Sequence, residues 1–259
     1  MRVFVFRIKA PYLFLIVFTL FVALFLPWLY QPLATAVMTV TNQNRLVPIY
    51  RVDTKEKKVA ISFDATWGTD LTDEILSILR EHDIKTTFFL AGYWVDKYPE
   101  YVVKIAEEGH EIGNHSYSHP HMNSLTFEGV VKELQKNHAM IKDLSGQDSI
   151  VFRPPFGEYN NTVIKAAESI GYYTIQWSID SLDWQNTTSN EVYSRVMSKI
   201  GPGEIVLFHN AAKATPDAIR RIIPELKAQG YNIVPVSELI YKENYYIAHD
   251  GTQKNRGEN

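Results

Sequence analysis

The chain has 259 residues, with 26 Lys and Arg against 29 Asp and Glu, for a formal net charge of −3. That balance argues against a protein held to nucleic acid by bulk positive charge, and 46% hydrophobic with 21% charged residues excludes a disordered chain. There is no cysteine, so disulfides, thiolate metal sites and cysteine nucleophiles are excluded while the compartment stays open.

Residues 10–44 carry no charge, Tyr12 to Leu26 is apolar except for Thr19, and Arg2, Arg7 and Lys9 precede the run. A bilayer takes about 20 apolar residues, which 11–30 supply, with Trp28 and Tyr30 at the far interface and the basic residues holding the N-terminus inside. A membrane anchor over 1–31 is therefore expected, a single pass at the cell membrane with the rest of the chain outside the cytoplasm. A buried core helix is the plainer account, but no polar face interrupts the run. A signal peptide is the closer rival, because Ala34-Thr-Ala36 has the small-x-small form of a cleavage site, and a cut near Ala36 gives a secreted protein.

Residues 32–56 read as a linker and lead-in. From Lys57 a repeated pattern begins. Strands are expected at 59–63, 86–90, 111–114, 150–152, 172–177, 204–208 and 231–234. Between them fall helices: one capped at Thr69-Asp70, one opening near Pro99 and stopping at Gly109, and one capped by Thr126 and stopping at Ser145-Gly146. Three more end at Gly171, Gly201 and Gly230. Residues 242–259 read as a polar, frayed tail. Alternating strands and helices imply a parallel α/β sheet, and seven units over this length favour a closed or nearly closed (β/α) barrel, with an open doubly wound sheet as the alternative. No Gly-x-Gly-x-x-Gly follows the first strand and no phosphate loop is present, so no nucleotide is expected.

In such a barrel the reactive groups sit where strands end. Asp64 closes the first strand, His115 and His119 follow the third, Arg153 the fourth, Asp180 and Asp183 the fifth, and His209 ends the sixth. Each has a plainer account. Asp64 is open to helix capping, although Thr69 and Asp70 fill that place. Arg153 is open to an ordinary ion pair, Asp180 and Asp183 to turns, and Trp184 to the core. The His115–His119 spacing lets two imidazoles reach one divalent ion, or marks two ordinary loop histidines in equal measure. His110 and His121 fit that spacing less well and read as surface residues. A histidine ending a buried strand needs a polar partner, and a neighbouring carboxylate supplies one for His209.

Taken together, Ser62-Phe-Asp64, His115-x-x-x-His119, Arg153-Pro-Pro-Phe-Gly157, Asp180-x-x-Asp183-Trp184 and Leu207-Phe-His209 resemble the five ordered motifs of the NodB-like polysaccharide deacetylases, carbohydrate esterase family 4. The resemblance spans residues 57–241, and five motifs in order are far more specific than any one. The Phe-Asp-x-x-Trp-Gly variant with a membrane anchor resembles the sporulation-type branch. The resemblance implies a deformed (β/α) barrel that removes N-acetyl groups from peptidoglycan or a related amino-sugar polymer with one divalent metal, zinc foremost. It implies Asp64 as general base, His209 as general acid, Asp183 as the carboxylate tuning that histidine, and Arg153 as the holder of Asp64. His115 and His119 match the metal ligands, with Asp64 also open to that role. Trp184 and Leu207 match the walls of the acetyl pocket, and the amide of Phe156 an oxyanion donor. The chain departs from the family at Ala65, where a second aspartate usually binds the metal. The alternative is therefore a non-catalytic or weakly active glycan-binding domain on the same barrel.

Overall fold

The computed structural model describes residues 45–257, together with Phe18, Thr19, Phe21, Val22 and Leu24, which are helical. The rest of the expected anchor, and the cleavage motif at Ala36, lie outside the described residues; among the described residues no helix is long and apolar enough to cross a membrane. The chain divides into two units, Met1–Arg45 and Leu46–Asn259, and the second carries the fold set out below.

Its centre is β2 (Lys58–Ala65), buried along its length after Lys58. Alternate residues serve two layers, as in a parallel sheet covered on both faces. Val59, Ile61 and Phe63 enter the outer cluster with helix residues such as Ile75, Leu79, Ile219 and Ile222. Ala60 enters the inner cluster with Phe89, Val151, Ile175 and Ile205. Beyond Ala60 the inner positions turn polar, at Ser62 and Asp64.

On one side β2 pairs with β3 (Thr87–Leu90), followed outward by β4 (Glu111–Asn114), β5 (Val151–Phe152) and β6 (Tyr173–Thr174). On the other it pairs with β8 (Ile205–His209), then β7 (Ile179–Asp180), and β9 (Asn232–Ile233) also pairs β2. Every pairing in this sheet is parallel. The seven-strand path curls into the expected deformed barrel. The lead-in segment bridges toward its seam, with Ile49 paired to Ile175 and Arg51 to Glu204.

The outer layer is α1 (Thr72–Glu81), α2 (Gly92–Lys97), α3 (Pro99–Glu107), α4 (Phe127–Ser145), α5 (Asn161–Ser169), α6 (Ser189–Met197) and α7 (Thr215–Ala228), whereas the single turn α8 (Val236–Leu239) packs Val236 and Leu239 into the inner cluster. Thr126 caps α4 by accepting from Gly129 N, and Gly146 ends it in the left-handed region, as its sequence implies. Thr69 and Asp70 do not cap α1 with their side chains; the Thr69 carbonyl accepts Thr72 N and the helix begins two residues later than expected. At the far ends of three helices a lysine meets a free carbonyl: Lys57 on Gln229, Lys227 on His82 and Lys85 on Glu108, each a cation at the negative end of a helix dipole.

The expected frayed tail is ordered as far as residue 257. Strands β10 (Tyr245–Ile247) and β11 (Thr252–Asn255) form a second sheet with β1 (Arg51–Val52), in the order β1-β11-β10. Polar composition misled here because Gln253, fully buried, closes both amide bonds on the Tyr241 backbone, donating to its O and accepting from its N. The seam also depends on Gly203, at φ +80, where an added Cβ would sit 1.8 Å from Val52 O. Gly203→Ala should therefore lower stability by about 2 kcal/mol or more, read as a lower urea midpoint at unchanged slope.

Candidate active site

The register of β2 with β8 sets Asp64 beside His209 at the ends of adjacent strands, both on the inner face. Around them lies a cavity of about 660 Å3 whose lining includes Asp64, His115, His119, Asp180, Leu207 and His209. Phe156 and Trp184 line it too. Arg153 and Asp183, wholly or nearly buried, stand behind it and hold the lining residues. The structure thus brings together every site residue expected from the motifs.

Arg153 is 0% exposed and donates Nη1 to Asp64 Oδ1 at 2.8 Å, with Nη2 on Ser62 Oγ and Gln176 O. Its guanidinium lies over the Phe89 ring at 4.1 Å, a ring that fits because Gly113 has no Cβ to meet it. Burial alone would raise the pKa of Asp64; the charge of Arg153 foremost, with His115 and His209, outweighs that and holds the carboxyl below its ordinary range. Asp64 is therefore ionised at neutral pH, with Oδ1 committed to Arg153 and Oδ2 free of it.

His115 Nδ1 lies 2.6 Å from Arg153 O. A carbonyl only accepts, so Nδ1 carries the proton and Nε2 presents a lone pair. That Nε2 is 3.6 Å from Asp64 Oδ2, too far for a hydrogen bond and suited to two donors on one ion. The His119 ring lies 4.9 Å from that of His115. Burial depresses both imidazoles, His119 to about 4 with help from the nearby His115, which keeps them neutral as metal ligation requires. Ala65 ends β2 buried in the outer layer and offers no donor atom. Among the described residues no three His, Cys, Asp or Glu side chains close around one point. The residues present fit a divalent ion as an open site of few ligands, not as a closed cage.

His209 is held by one carboxylate at two points. Asp183 Oδ1 takes the ring Nδ1 at 2.8 Å and Asp183 Oδ2 takes the backbone N–H of His209 at 2.8 Å. Thr215, the first residue of α7, donates its hydroxyl to the same Oδ2. Burial works against the charged ring, but the bond to Asp183 and the charges of Asp183, Asp64 and Asp180 outweigh it and raise the His209 pKa. The two aspartates after the fifth expected strand separate in role. Asp183 pairs with His209, whereas Asp180 Oδ1 accepts Leu182 N and forms a turn.

Ser116, His119, Phe156 and Leu182 all have positive φ. Such strain gathers at functional loops, and here it turns the loops that carry the imidazoles and the exposed Phe156. His121 is exposed, stacked on Phe156 and bonded to Glu158. His110, expected at the surface, is instead buried against Phe88, with Nδ1 accepting Thr86 N. Burial pushes it down to about 4 and it stays neutral. Sequence reasoning assigned no role to Trp67, Trp177, Asn210 or Thr215. The first three line the cavity, and no spacing rule marks Thr215, six residues past His209.

The polysaccharide deacetylase family profile matches residues 51–175. The chain is 31% identical over 198 residues to peptidoglycan-N-acetylmuramic acid deacetylase PdaA of Bacillus subtilis, covering 75% of each chain. It is 36% identical over 193 residues to the B. subtilis protein YlxY, covering 74% of this chain and 60% of YlxY. Its fold is similar to the crystal structure of wild-type BA3943 of Bacillus anthracis, described as a CE4 family pseudoenzyme, with TM-score 0.72 and 38% identity over 74% of this chain and 68% of that one. A BA3943 mutant described as having restored enzymatic activity matches at TM-score 0.72 and 39% identity, over 74% of this chain and 71% of that one.

Proposed function

The chain belongs to the polysaccharide deacetylase family, and from that premise we propose that it is a metal-dependent hydrolase removing N-acetyl groups from a peptidoglycan-like amino-sugar polymer. The observation that carries the reading is the pairing, across one cavity, of an ionised carboxylate with a histidine whose charged form is favoured: Asp64 fixed by Arg153, and His209 fixed by Asp183, which raises its pKa. A glycan-binding surface has no need of a poised base and a poised acid; amide hydrolysis needs both.

Asp64 Oδ2 takes the proton of an attacking water, and Arg153 keeps that carboxyl ionised and aimed. His209 delivers its ring proton to the nitrogen that leaves as amine. Leu207 and Trp184 wall the space for the acetyl methyl, and the left-handed turn at Phe156 offers its N–H toward the carbonyl oxygen. Enzymes of this family generally depend on a divalent metal. Held by His115 and His119, such an ion would supply positive charge where the oxyanion develops and would acidify water; with Oδ1 committed to Arg153, Asp64 Oδ2 serves either as the base or as a third ligand, and in the second case another group must act as base. Two imidazoles favour zinc over magnesium or calcium.

Three features support an external location: the apolar run at 11–30, the basic residues before it, and a proposed glycan substrate that lies outside the cytoplasm. The Phe-Asp-x-x-Trp-Gly variant supports a role in spore formation. The second reading, a domain that binds glycan without turnover, is favoured by Ala65 and by the likeness to the BA3943 pseudoenzyme. Acetate release from N-acetylglucosamine oligomers and from peptidoglycan, with and without added zinc, separates the two. The proposal expects release that needs the metal and disappears in His115→Ala. Saccharide binding that persists after chelation, with no acetate under any divalent ion, would establish the second reading.

A further inference from the structure

Trp67 is 70% exposed, an unusual setting for the largest apolar side chain, and it lines the cavity mouth. Its backbone is not loose. The carbonyl of the next residue, Gly68, accepts Trp94 Nε1 at 2.8 Å and Asn210 Nδ2 at 3.0 Å. Gly68 itself has φ +55, and Tyr93 packs beside the Trp67 ring, 5.7 Å between centroids. The loop that carries the indole is thus tied to the buried core through Trp94 and Asn210, while the ring itself stands in water beside Tyr93. Phe156 (59% exposed) and Trp184 (60% exposed) stand on the same cavity from two other loops. Acetyl binding accounts for Trp184 and Leu207 and leaves Trp67 without a task.

We propose that Trp67 is a sugar-stacking platform for the unit next to the one whose acetamide enters the cavity, so that the site takes an internal unit of a β-linked amino-sugar chain in preference to a free monosaccharide. The apolar face of a pyranose ring is the surface that fits a flat, exposed aromatic, and a tryptophan on an anchored loop has only two side-chain torsions to fix on binding. The inference rests on the reading of the cavity as an amino-sugar site.

Calorimetric titration of the full chain with N-acetylglucosamine and with its β-1,4-linked tetramer tests it. The tetramer should bind at least about tenfold more tightly than the monomer. Trp67→Ala should remove most of that advantage while leaving monomer affinity unchanged, and Trp67→Phe should restore much of it. Circular dichroism should show both variants folded, because the side chain is exposed. Equal affinity for the two sugars, a tetramer affinity indifferent to Trp67→Ala, or no measurable binding of either would overturn the platform. Acetate assays on the same samples keep the two claims apart. Chain-length-dependent binding through Trp67 without acetate release upholds the platform and removes catalysis. Acetate release equally fast from monomer and tetramer, in wild type and Trp67→Ala alike, does the reverse.

Discussion

Arg153→Met should lower stability by about 3–5 kcal/mol, because it strands a buried carboxylate without its counter-charge. For a domain of this size that is a fall in Tm of roughly 10 °C. Methionine is close in length to arginine and apolar, so the loss is not mainly a cavity. The pH dependence identifies the cause. In the wild type the Asp64 pKa is depressed, so its contribution to stability is present above the unfolded carboxylate value and is lost as pH falls through the folded one. Without Arg153, burial dominates and the pKa rises. The variant then binds more protons folded than unfolded, and its stability falls as pH rises above the ordinary carboxylate range. Urea unfolding of both proteins from pH 3 to 8 should show opposite slopes for this group; parallel curves would mean that the ion pair adds nothing. Acetate release should also collapse, since Asp64 loses both its ionisation and its aim.

Asp183→Asn should lower the rate of acetate release by about 10^2- to 10^4-fold with a much smaller change in KM. Asp183 Oδ2 accepts two donors, His209 N and the Thr215 hydroxyl, so the amide oxygen of asparagine is held there. The amide NH2 is then left facing His209 Nδ1, which must accept. That fixes the proton on Nε2 and disfavours the charged ring. The raised His209 pKa depends first on overcoming burial through Asp183, so the alkaline limb of the rate profile should move to lower pH. The stability that wild type draws from His209 is present below the unfolded pKa and lost as pH rises through the folded one, and this window should disappear from the variant. Nitrogen-15 spectra of His209 read the tautomer directly; an unchanged Nδ1–H tautomer would refute the argument.

The strands legible in the sequence were those with continuous apolar runs, such as Val59-Ala-Ile-Ser-Phe63 and Ile205-Val-Leu-Phe208. The two-residue β7 was not, because Ile179-Asp180 has no periodicity to show and owes its strand state to pairing with Val206 and Leu207. The six-residue length of α2, under two turns, hid it similarly. The order in the tail comes from Gln253 and from pairing with β1, some 200 residues earlier in the chain, and local polarity carries no trace of such a contact. The site was readable because chemistry at strand ends stands out against apolar strands: Asp64, Arg153, Asp183 and His209 are where their motifs put them. Their supports were hidden. Thr215 and Gln176 act through bonds to residues 32 and 23 positions away, and His110 was misjudged because a histidine beside glycine and glutamate looks exposed until a neighbouring strand covers it.

The most direct test of the shared cavity is the structure of His209→Asn bound to an N-acetylglucosamine oligomer. The acetamide carbonyl carbon is expected within about 3–3.5 Å of a water beside Asp64 Oδ2, its methyl against Leu207 and its nitrogen toward position 209. An oligomer bound with every acetamide outside the space between Asp64 and position 209 would contradict the account.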